Sequence, residues 1–261
     1  MNRRITLVLF FFLSAGGLSL VLGDSPAAKP RIEPKADEVL KKACACLADL
    51  KQFGVKVEET FDEMSASGQK IQFCNRREVL VRRPNCLFAR STGDTTNRLF
   101  YYDGKALALF DPDAKVYATN EAPATLDSLF DFLDEKLGFT IPTSDLLFND
   151  PYKVLTEHVE GGEYLGLHHV GEKKCHHLAF QQRRIDWQLW VDAGDKPLPL
   201  KFLLTYRRMP GEPQFASVFD WDVSAKVADD AFTFKPPTDA KKIEFLTQKS
   251  VPPGKKQPEK P

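Results

Sequence analysis

An arginine beside a proline is the strongest chemical signal in this chain. Arg83 follows a strand-like run in which Phe73, Val79 and Val81 share one face, because side chains alternate faces along a strand. Pro84 cannot donate to a sheet ladder and therefore marks the corner of a hairpin. An arginine on the apolar side of a sheet costs free energy unless nearby groups accept its hydrogen bonds. Arg83 is therefore predicted to hold an internal segment or a ligand, with a solvated corner arginine as the alternative.

Histidine pairs flank a predicted turn, and imidazoles can bind metal ions. In a hairpin that turns at 171–174, His169 would face His176 and His168 would face His177. Adjacent histidines point to opposite faces of a strand, and no third ligand stands at a suitable spacing. We therefore predict a packed or surface hairpin and no metal site.

Motifs for enzymatic chemistry are absent from the sequence. The chain has no Gly-x-Ser-x-Gly, no His-Glu-x-x-His and no phosphate-binding loop. The acidic residues at 127–135 fit a solvated helix face, and Asp186 and Asp220 lie opposite the apolar side of their strands. We predict no catalytic residues and no cofactor.

Aromatic side chains are frequent in the strand-like runs, where most of them are expected to fill a core. Some could instead line a cavity for an acyl chain or a similar apolar ligand. The residues predicted to do so, together with Arg83, are Phe73, Phe88, Tyr102, Phe110, Trp187, Phe202, Phe219 and Trp221.

The hydrophobic periodicity changes twice along the chain. A helical period over Ala36–Leu50 is followed by a period of two, then by helical patterns at about 125–137 and 146–148. The second of these helices is expected to end near Asp150 and Pro151, and strands resume from Val154–Val159 onward. Short turns join roughly eleven strands into an antiparallel sheet, and a twisted sheet of this size tends to curl. The sequence therefore predicts a mainly β (α+β) fold, a curved half-barrel with the N-terminal helix and the inserted helices on its concave face. An apolar pocket is expected between helices and sheet.

The first residues have the features of an export signal. Asn2–Arg4 is basic, Ile5–Leu22 is apolar, and cleavage is expected before Asp24, with a retained membrane anchor as the alternative. We predict a signal peptide at 1–23, a linker at 24–35, one domain at 36–246 and a disordered tail at 247–261. No other segment is long and apolar enough to cross a membrane.

The charge balance bears on the class of partner, and the cysteine count bears on disulfide bonding. The chain has 36 Lys+Arg and 36 Asp+Glu, with no basic stripe, so nucleic acid is not expected. Its 5 cysteines are an odd number, and buried free thiols are favoured over a disulfide because no spacing requires one.

Several short motifs resemble those of a known family. They are Val81–Asn85, Asp103–Lys105, Leu109–Pro112, Asp186–Trp190 with Asp195–Pro199, and Asp230–Pro237. In order and spacing the chain resembles the LolA-like periplasmic lipoprotein carriers. It is more similar to a related group of predicted periplasmic proteins, domain of unknown function 2092. The segment between Cys175 and Arg208 departs from the carriers' own pattern.

The resemblance implies a location, a cavity and a role for one residue. It implies a periplasmic half-barrel around an apolar cavity, in which the arginine before the proline bonds the lid helices and helps to switch open and closed states. By position that residue is Arg83. We therefore expect a monomeric, non-enzymatic carrier of a lipid, or of the acyl chain of a lipidated protein. An envelope protein-interaction or sensor module with no bound lipid is the alternative, and a small-molecule enzyme that uses the same cavity is less favoured.

Overall fold

A single sheet of thirteen strands organises the molecule, whose computed structural model describes residues 31–139, 141 and 143–245. The strands are β1 (Arg31–Ile32), β2 (Gln52–Met64), β3 (Lys70–Arg82), β4 (Cys86–Gly93), β5 (Asn97–Tyr102), β6 (Ala106–Asp111), β7 (Val116–Glu121), β8 (Val159–Val170), β9 (Lys173–Gln182), β10 (Ile185–Asp192), β11 (Pro199–Tyr206), β12 (Gln214–Asp222) and β13 (Lys241–Ile243).

The strand order is β1-β8-β9-β10-β11-β12-β2-β3-β4-β5-β6-β7-β13. Strands β2 to β12 pair antiparallel throughout, while β1 and β13 pair in parallel with β8 and β7 at the two edges. The predicted mainly β, curved antiparallel sheet of about eleven strands is therefore confirmed, with two short edge strands added.

Three helices supply the other layer, on the concave face of the sheet. They are α1 (Pro34–Asp49), α2 (Leu126–Leu137) and α3 (Pro151–Thr156), with a 3₁₀ turn at Ser144–Leu147. The Thr125 hydroxyl accepts the amide N–H of Ser128 and so caps the start of α2. Gly138 in the left-handed conformation ends this helix, as glycine after a last turn predicts. No helix among these described residues is long and apolar enough to cross a bilayer.

Two parts of the sequence prediction need correction. The strand predicted at Val154–Val159 is wrong, because residues 151–156 form α3 and β8 begins only at Val159. The Asp150 carboxylate accepts the amide N–H of Lys153, and Pro151 occupies the first turn, so this pair starts a helix and does not end one. The predicted linker at 24–35 also reaches into structured chain, because residues 31–35 form β1 and the start of α1.

Other predictions concern residues outside the part of the chain that the structure describes. The predicted signal peptide at 1–23, the first residues of the linker and the predicted tail at 247–261 belong to this group. All five cysteines are described and carry free thiols.

The concave face is organised in rows of directly paired residues that cross the strands. An apolar row contains Trp221, Val55, Val79, Ala89, Phe100, Leu109 and Ala118. Next to it lies an arginine row of Phe219, Val57, Arg77, Ser91 and Arg98. A third row, the Glu59 row, contains Phe202, Ser217, Glu59, Asn75 and Gly93. Polar groups therefore interrupt an otherwise apolar surface in two adjacent rows.

The C-terminal segment covers part of the opposite, convex face. The Phe234 ring contacts Tyr101, Phe110 and Tyr117, with ring centroids 5.2 to 5.9 Å apart. The guanidinium of Arg82 lies 4.9 Å from the centroid of the Phe232 ring. The chain then reaches the edge of the sheet, where β13 pairs with β7.

Candidate functional site

Arg83 lies between the end of β3 and the inserted helical segment. One guanidinium nitrogen, Nη1, donates to the carbonyl oxygen of Leu147 at 2.8 Å and to Asn149 Oδ1 at 3.3 Å, and Nη2 donates to the carbonyl oxygen of Phe148 at 3.3 Å. Burial lowers the pKa of the guanidinium, and the nearby Asp127 carboxylate opposes this effect. The side chain therefore joins the sheet to the segment that covers it.

The Arg83–Pro84 corner also contacts the inserted helical segment through a backbone hydrogen bond. The amide N–H of Leu126, at the start of α2, donates to the carbonyl oxygen of Pro84 at 2.9 Å. The Asp127 carboxylate accepts the amide N–H of Asn149 at 3.0 Å. The first turn of α2 and the loop before α3 are thus attached to one hairpin corner.

A groove of about 420 Å³ lies between α2 and strands β5 to β7. Its floor comes from the apolar row, through Phe100, Leu109 and Ala118, and its roof from Leu133 and Leu137 of α2. The other lining residues are Arg98, Asp111, Val116, Tyr117, Gly138, Phe139, Ile243, Glu244 and Phe245. The groove is therefore largely apolar, and its charged lining residues are Arg98, Asp111 and Glu244.

A smaller chamber of about 190 Å³ adjoins this groove. Groove and chamber share Arg98, Phe100, Leu109 and Phe139 in their linings. The chamber adds several polar side chains, namely Asn75, Arg77, Ser91 and Thr96. The concave space therefore changes from apolar to polar along its length.

Arg77 is held in a fixed position at the chamber wall. Its Nη2 donates to Glu59 Oε2 at 3.2 Å and its Nε donates to Ser91 Oγ at 3.1 Å. The Glu59 side chain is only 2% exposed, and burial raises the pKa of its carboxyl group against the opposing effect of Arg77. The ion pair therefore lies inside the molecule, where it fixes the guanidinium.

The predicted cavity-lining residues occupy different places. Phe73 contacts Phe61 at the outer end of the concave face, and the buried Tyr102 donates its hydroxyl to the carbonyl oxygen of Pro123. Phe219 and Trp221 line a cavity of only about 40 Å³ beside Leu146 and Leu147.

Trp187 and Phe202 are packed inside the core. Trp187 stacks on Phe180 with ring centroids 4.0 Å apart, and Phe202 lies 5.6 Å from Trp187 on its other side. All three rings are at most 3% exposed. These residues therefore fill the concave space on the β9–β11 side.

Phe88 and Phe110 are separated from the other predicted residues by the sheet. They lie on the convex face, where Phe88 contacts Tyr101 and Phe110 contacts Phe234. The structure therefore does not bring them together with the concave groove.

Sequence reasoning missed most of the groove and both arginines of the arginine row. Arg77 has the same odd parity in β3 as Phe73, Val79 and Val81, so the alternation that selected Arg83 also applies to it. Arg98 shares parity with Phe100 and Tyr102 in β5. The signal for both arginines was present in the sequence.

The histidine hairpin has a different register from the predicted one. Residues 171 and 172 alone connect the paired residues Val170 and Lys173, and His168 pairs with Cys175. Because Cys175 and His177 share a face of β9, His168 and His177 are diagonal neighbours in this register, with their Nδ1 atoms 2.8 Å apart. Within the described part of the chain, no group of three or more His, Cys, Asp or Glu side chains could hold a metal ion.

Solved structures similar to this chain include mycobacterial lipoproteins. The lipoprotein LppX of Mycobacterium tuberculosis is 13% identical, with 75% of this chain and 100% of that chain covered and a TM-score of 0.47. LprF of Mycobacterium bovis is 11% identical, with 79% and 98% covered and a TM-score of 0.46. A LolA superfamily protein of Nitrosomonas europaea is 13% identical, with 76% and 97% covered and a TM-score of 0.36.

Family membership follows from the sequence itself. Among curated proteins, none matches the chain. A model of the family described as "Predicted periplasmic protein (DUF2092)" matches residues 36–246. This match confirms the resemblance predicted from the short motifs, and it covers most of the chain. The chain therefore belongs to the DUF2092 family of predicted periplasmic proteins.

Proposed function

We propose that this protein is an exported, periplasmic and non-enzymatic carrier or binder of an apolar ligand, either a lipid or the acyl chain of a lipoprotein. The observation that carries this proposal is the groove of about 420 Å³ beneath α2, which is lined mainly by apolar side chains. Ligand sites in proteins are typically concave, mostly apolar and of about 300–1,000 Å³. The description of the family as predicted periplasmic supports the proposed location.

The contacts of Arg83 support a lid that opens for the ligand. The residues that it holds, Leu147 and Phe148, belong to the insertion that follows α2, and Phe148 contacts Phe130 of α2 with ring centroids 5.3 Å apart. Release of these hydrogen bonds would free the loop that packs against α2, while the amide N–H of Leu126 still attaches the start of α2 to Pro84. In the proposed carrier, Arg83 is the latch that keeps the insertion on the sheet.

The direct experiment is to purify the protein from its own envelope and analyse it by native mass spectrometry and lipid extraction. We expect one lipid molecule per chain. Protein that carries no lipid, and that binds none when lipids are added, would contradict the carrier function. Such a result would favour the alternative, an envelope protein-interaction or sensor module.

A pair of variants tests the place of binding. Phe139 at the groove mouth is 37% exposed, and Leu165 on β8, away from the groove, is 41% exposed. Phe139→Asp places a charge at the mouth and should weaken lipid binding about tenfold, since a charged group that loses water is costly. Leu165→Asp is the matched control and should leave lipid binding unchanged. Equal effects of the two variants would place the ligand elsewhere.

A further inference from the structure

The arginine row places two charged side chains next to an apolar groove. Arg77 and Arg98 belong to one row of paired residues, with Ser91 between them, and both line the chamber of about 190 Å³. Buried charges are normally excluded from apolar surfaces unless partners are available. The two arginines therefore indicate a polar end of the concave space.

Arg77 is prepared to bind a further acceptor. Glu59 and Ser91 occupy two of its five N–H donors, and the other three have no partner among the described residues. The fixed, planar guanidinium can donate two parallel hydrogen bonds to a carboxylate or a phosphate. Its position thus requires little further ordering when an anion binds.

Arg98 provides the second positive charge of the chamber. Its side chain is 53% exposed, and its Nε lies 3.8 Å from Asp111 Oδ2, which is too long for a hydrogen bond. Arg98 also lines the larger apolar groove, so it lies where the two spaces join. A ligand that extends from groove to chamber would pass beside it.

The groups behind Arg77 reinforce the polar character of this end. Glu59 Oε1 and Ser217 Oγ are buried and have no hydrogen-bond partner among the residues described, which is unusual in native proteins. Because burial raises the pKa of the Glu59 carboxyl, its neutral form is favoured more than in water.

We propose that the groove takes an amphipathic lipid with an anionic carboxylate or phosphate head. The head lies in the chamber between Arg77 and Arg98, and the chain lies beneath α2 on the apolar row. This assignment rests on the proposed function, and it specifies the chemistry of the ligand and the direction in which it lies. The Asp111 and Glu244 carboxylates line the adjoining groove and oppose an anion, so a head with a single negative group fits better than a highly charged one.

Ligands of matched chain length test the head group. Dodecanoate, dodecyl phosphate and dodecanol are titrated into delipidated protein below their micelle concentrations, with binding measured by calorimetry. The two anions should bind about tenfold more tightly than the alcohol, which is the effect of one charge-assisted hydrogen bond. Equal binding of all three would contradict the polar end while leaving the carrier function intact. Binding of none would contradict both.

Two single-residue variants test where the anionic head group binds. Arg98→Gln should reduce the preference for the anions about tenfold and leave dodecanol binding unchanged. Arg90→Gln is the matched control, because Arg90 is exposed and its parity in β4 places it on the convex face. An anion preference that Arg98→Gln does not change would overturn the assignment.

A double variant tests Arg77 without leaving a buried carboxylate unpaired. Glu59→Gln with Arg77→Gln should also lower the preference for the anions. Inorganic phosphate alone distinguishes a lipid from a free anion as the ligand. If it binds as tightly as dodecyl phosphate, the chain contributes nothing and the lipid assignment is wrong.

Discussion

The two halves of the sheet pack against their helices in different ways. On the β8–β10 side, α1 lies against the strands and the space beneath it is filled by side chains such as Phe180 and Trp187. On the β5–β7 side, α2 covers the sheet but leaves the groove of about 420 Å³. One concave face therefore contains both a packed core and a candidate binding site.

The buried faces of the two helices explain the difference. The buried face of α1 includes the small residues Ala36, Ala43 and Cys44, which allow close approach to its neighbours. The buried residues of α2 are all large, namely Leu126, Leu129, Phe130 and Leu133. Because packing distance depends on the side chains at the contact, bulky residues hold a helix farther from its support. A buried face that mixes small residues with Val39, Leu40 and Leu47 thus lets α1 approach its neighbours closely, whereas the uniformly large buried residues of α2 leave the groove.

The largest effect is expected from a truncation on the filled side. Trp187→Ala removes a fully packed ring and should lower the free energy of unfolding by about 3–5 kcal/mol. Phe139→Ala at the groove mouth should lower it by less than about 1 kcal/mol, because its ring is already partly exposed. Urea denaturation measures both. Similar losses for the two variants would show that the groove side is packed as tightly as the other.

A second contrast concerns two neighbouring ion pairs on opposite faces of β2 and β3. Arg77→Met leaves the buried Glu59 carboxylate without its partner and should destabilise the protein by about 3 kcal/mol. Arg76→Met is the matched control, since Arg76 and Glu58 form an exposed pair whose loss should cost less than about 1 kcal/mol. The difference is measured by urea denaturation, and equal costs would mean that Glu59 is not buried in solution.

Much of the fold could be predicted from periodicity, because most strands have one clear apolar face. The change from a period of 3.6 to a period of 2 located α1, the strands and α2 to within a few residues. The helix α3 was missed because the Asp150-Pro151 pair was interpreted as an end. The same two residues are equally suited to cap and begin a helix.

The site was harder to predict, for two physical reasons. The first half of β4 and most of β6 are apolar on both faces, so alternation could not tell Phe88 and Phe110 from inward residues. On the convex face Phe88 contacts Tyr101, and Phe234 covers Tyr101 and Phe110. Parity does place Arg77 on the concave face. It does not show which helix stands away from the sheet and so makes the arginine accessible. That distance depends on contacts between residues far apart in sequence.

The next contrast is between two adjacent arginines that hold different segments. Arg83→Leu removes three hydrogen bonds to the inserted segment and should destabilise the protein by about 2 kcal/mol while it remains folded. Hydrogen exchange should rise at 144–150, and a bound lipid should dissociate faster. Arg82→Leu should raise exchange at 229–234 instead, because Arg82 contacts Asp229 and Phe232. Unchanged lipid retention in Arg83→Leu would remove the latch role.

The smallest effect is expected from Glu59→Gln, and it depends on pH. Because the folded-state pKa of Glu59 lies above the value of 4.5 for an unperturbed carboxyl, the folded protein binds more protons than the unfolded chain in the pH range just above 4.5. This carboxyl therefore contributes stability at low pH, and the contribution is lost as pH rises through the folded pKa.

Glutamine cannot ionise, so the variant keeps that stability at all pH values. Relative to the wild type, Glu59→Gln should become more stable as pH rises from 4.5 to 7.5, by about 1 kcal/mol or less. Urea denaturation across this range measures the difference. A difference of opposite sign would mean that Arg77 holds the Glu59 carboxyl ionised more strongly than burial opposes it. In that case Arg77 would be fully neutralised at the chamber wall, and Arg98 alone would remain to attract an anionic head.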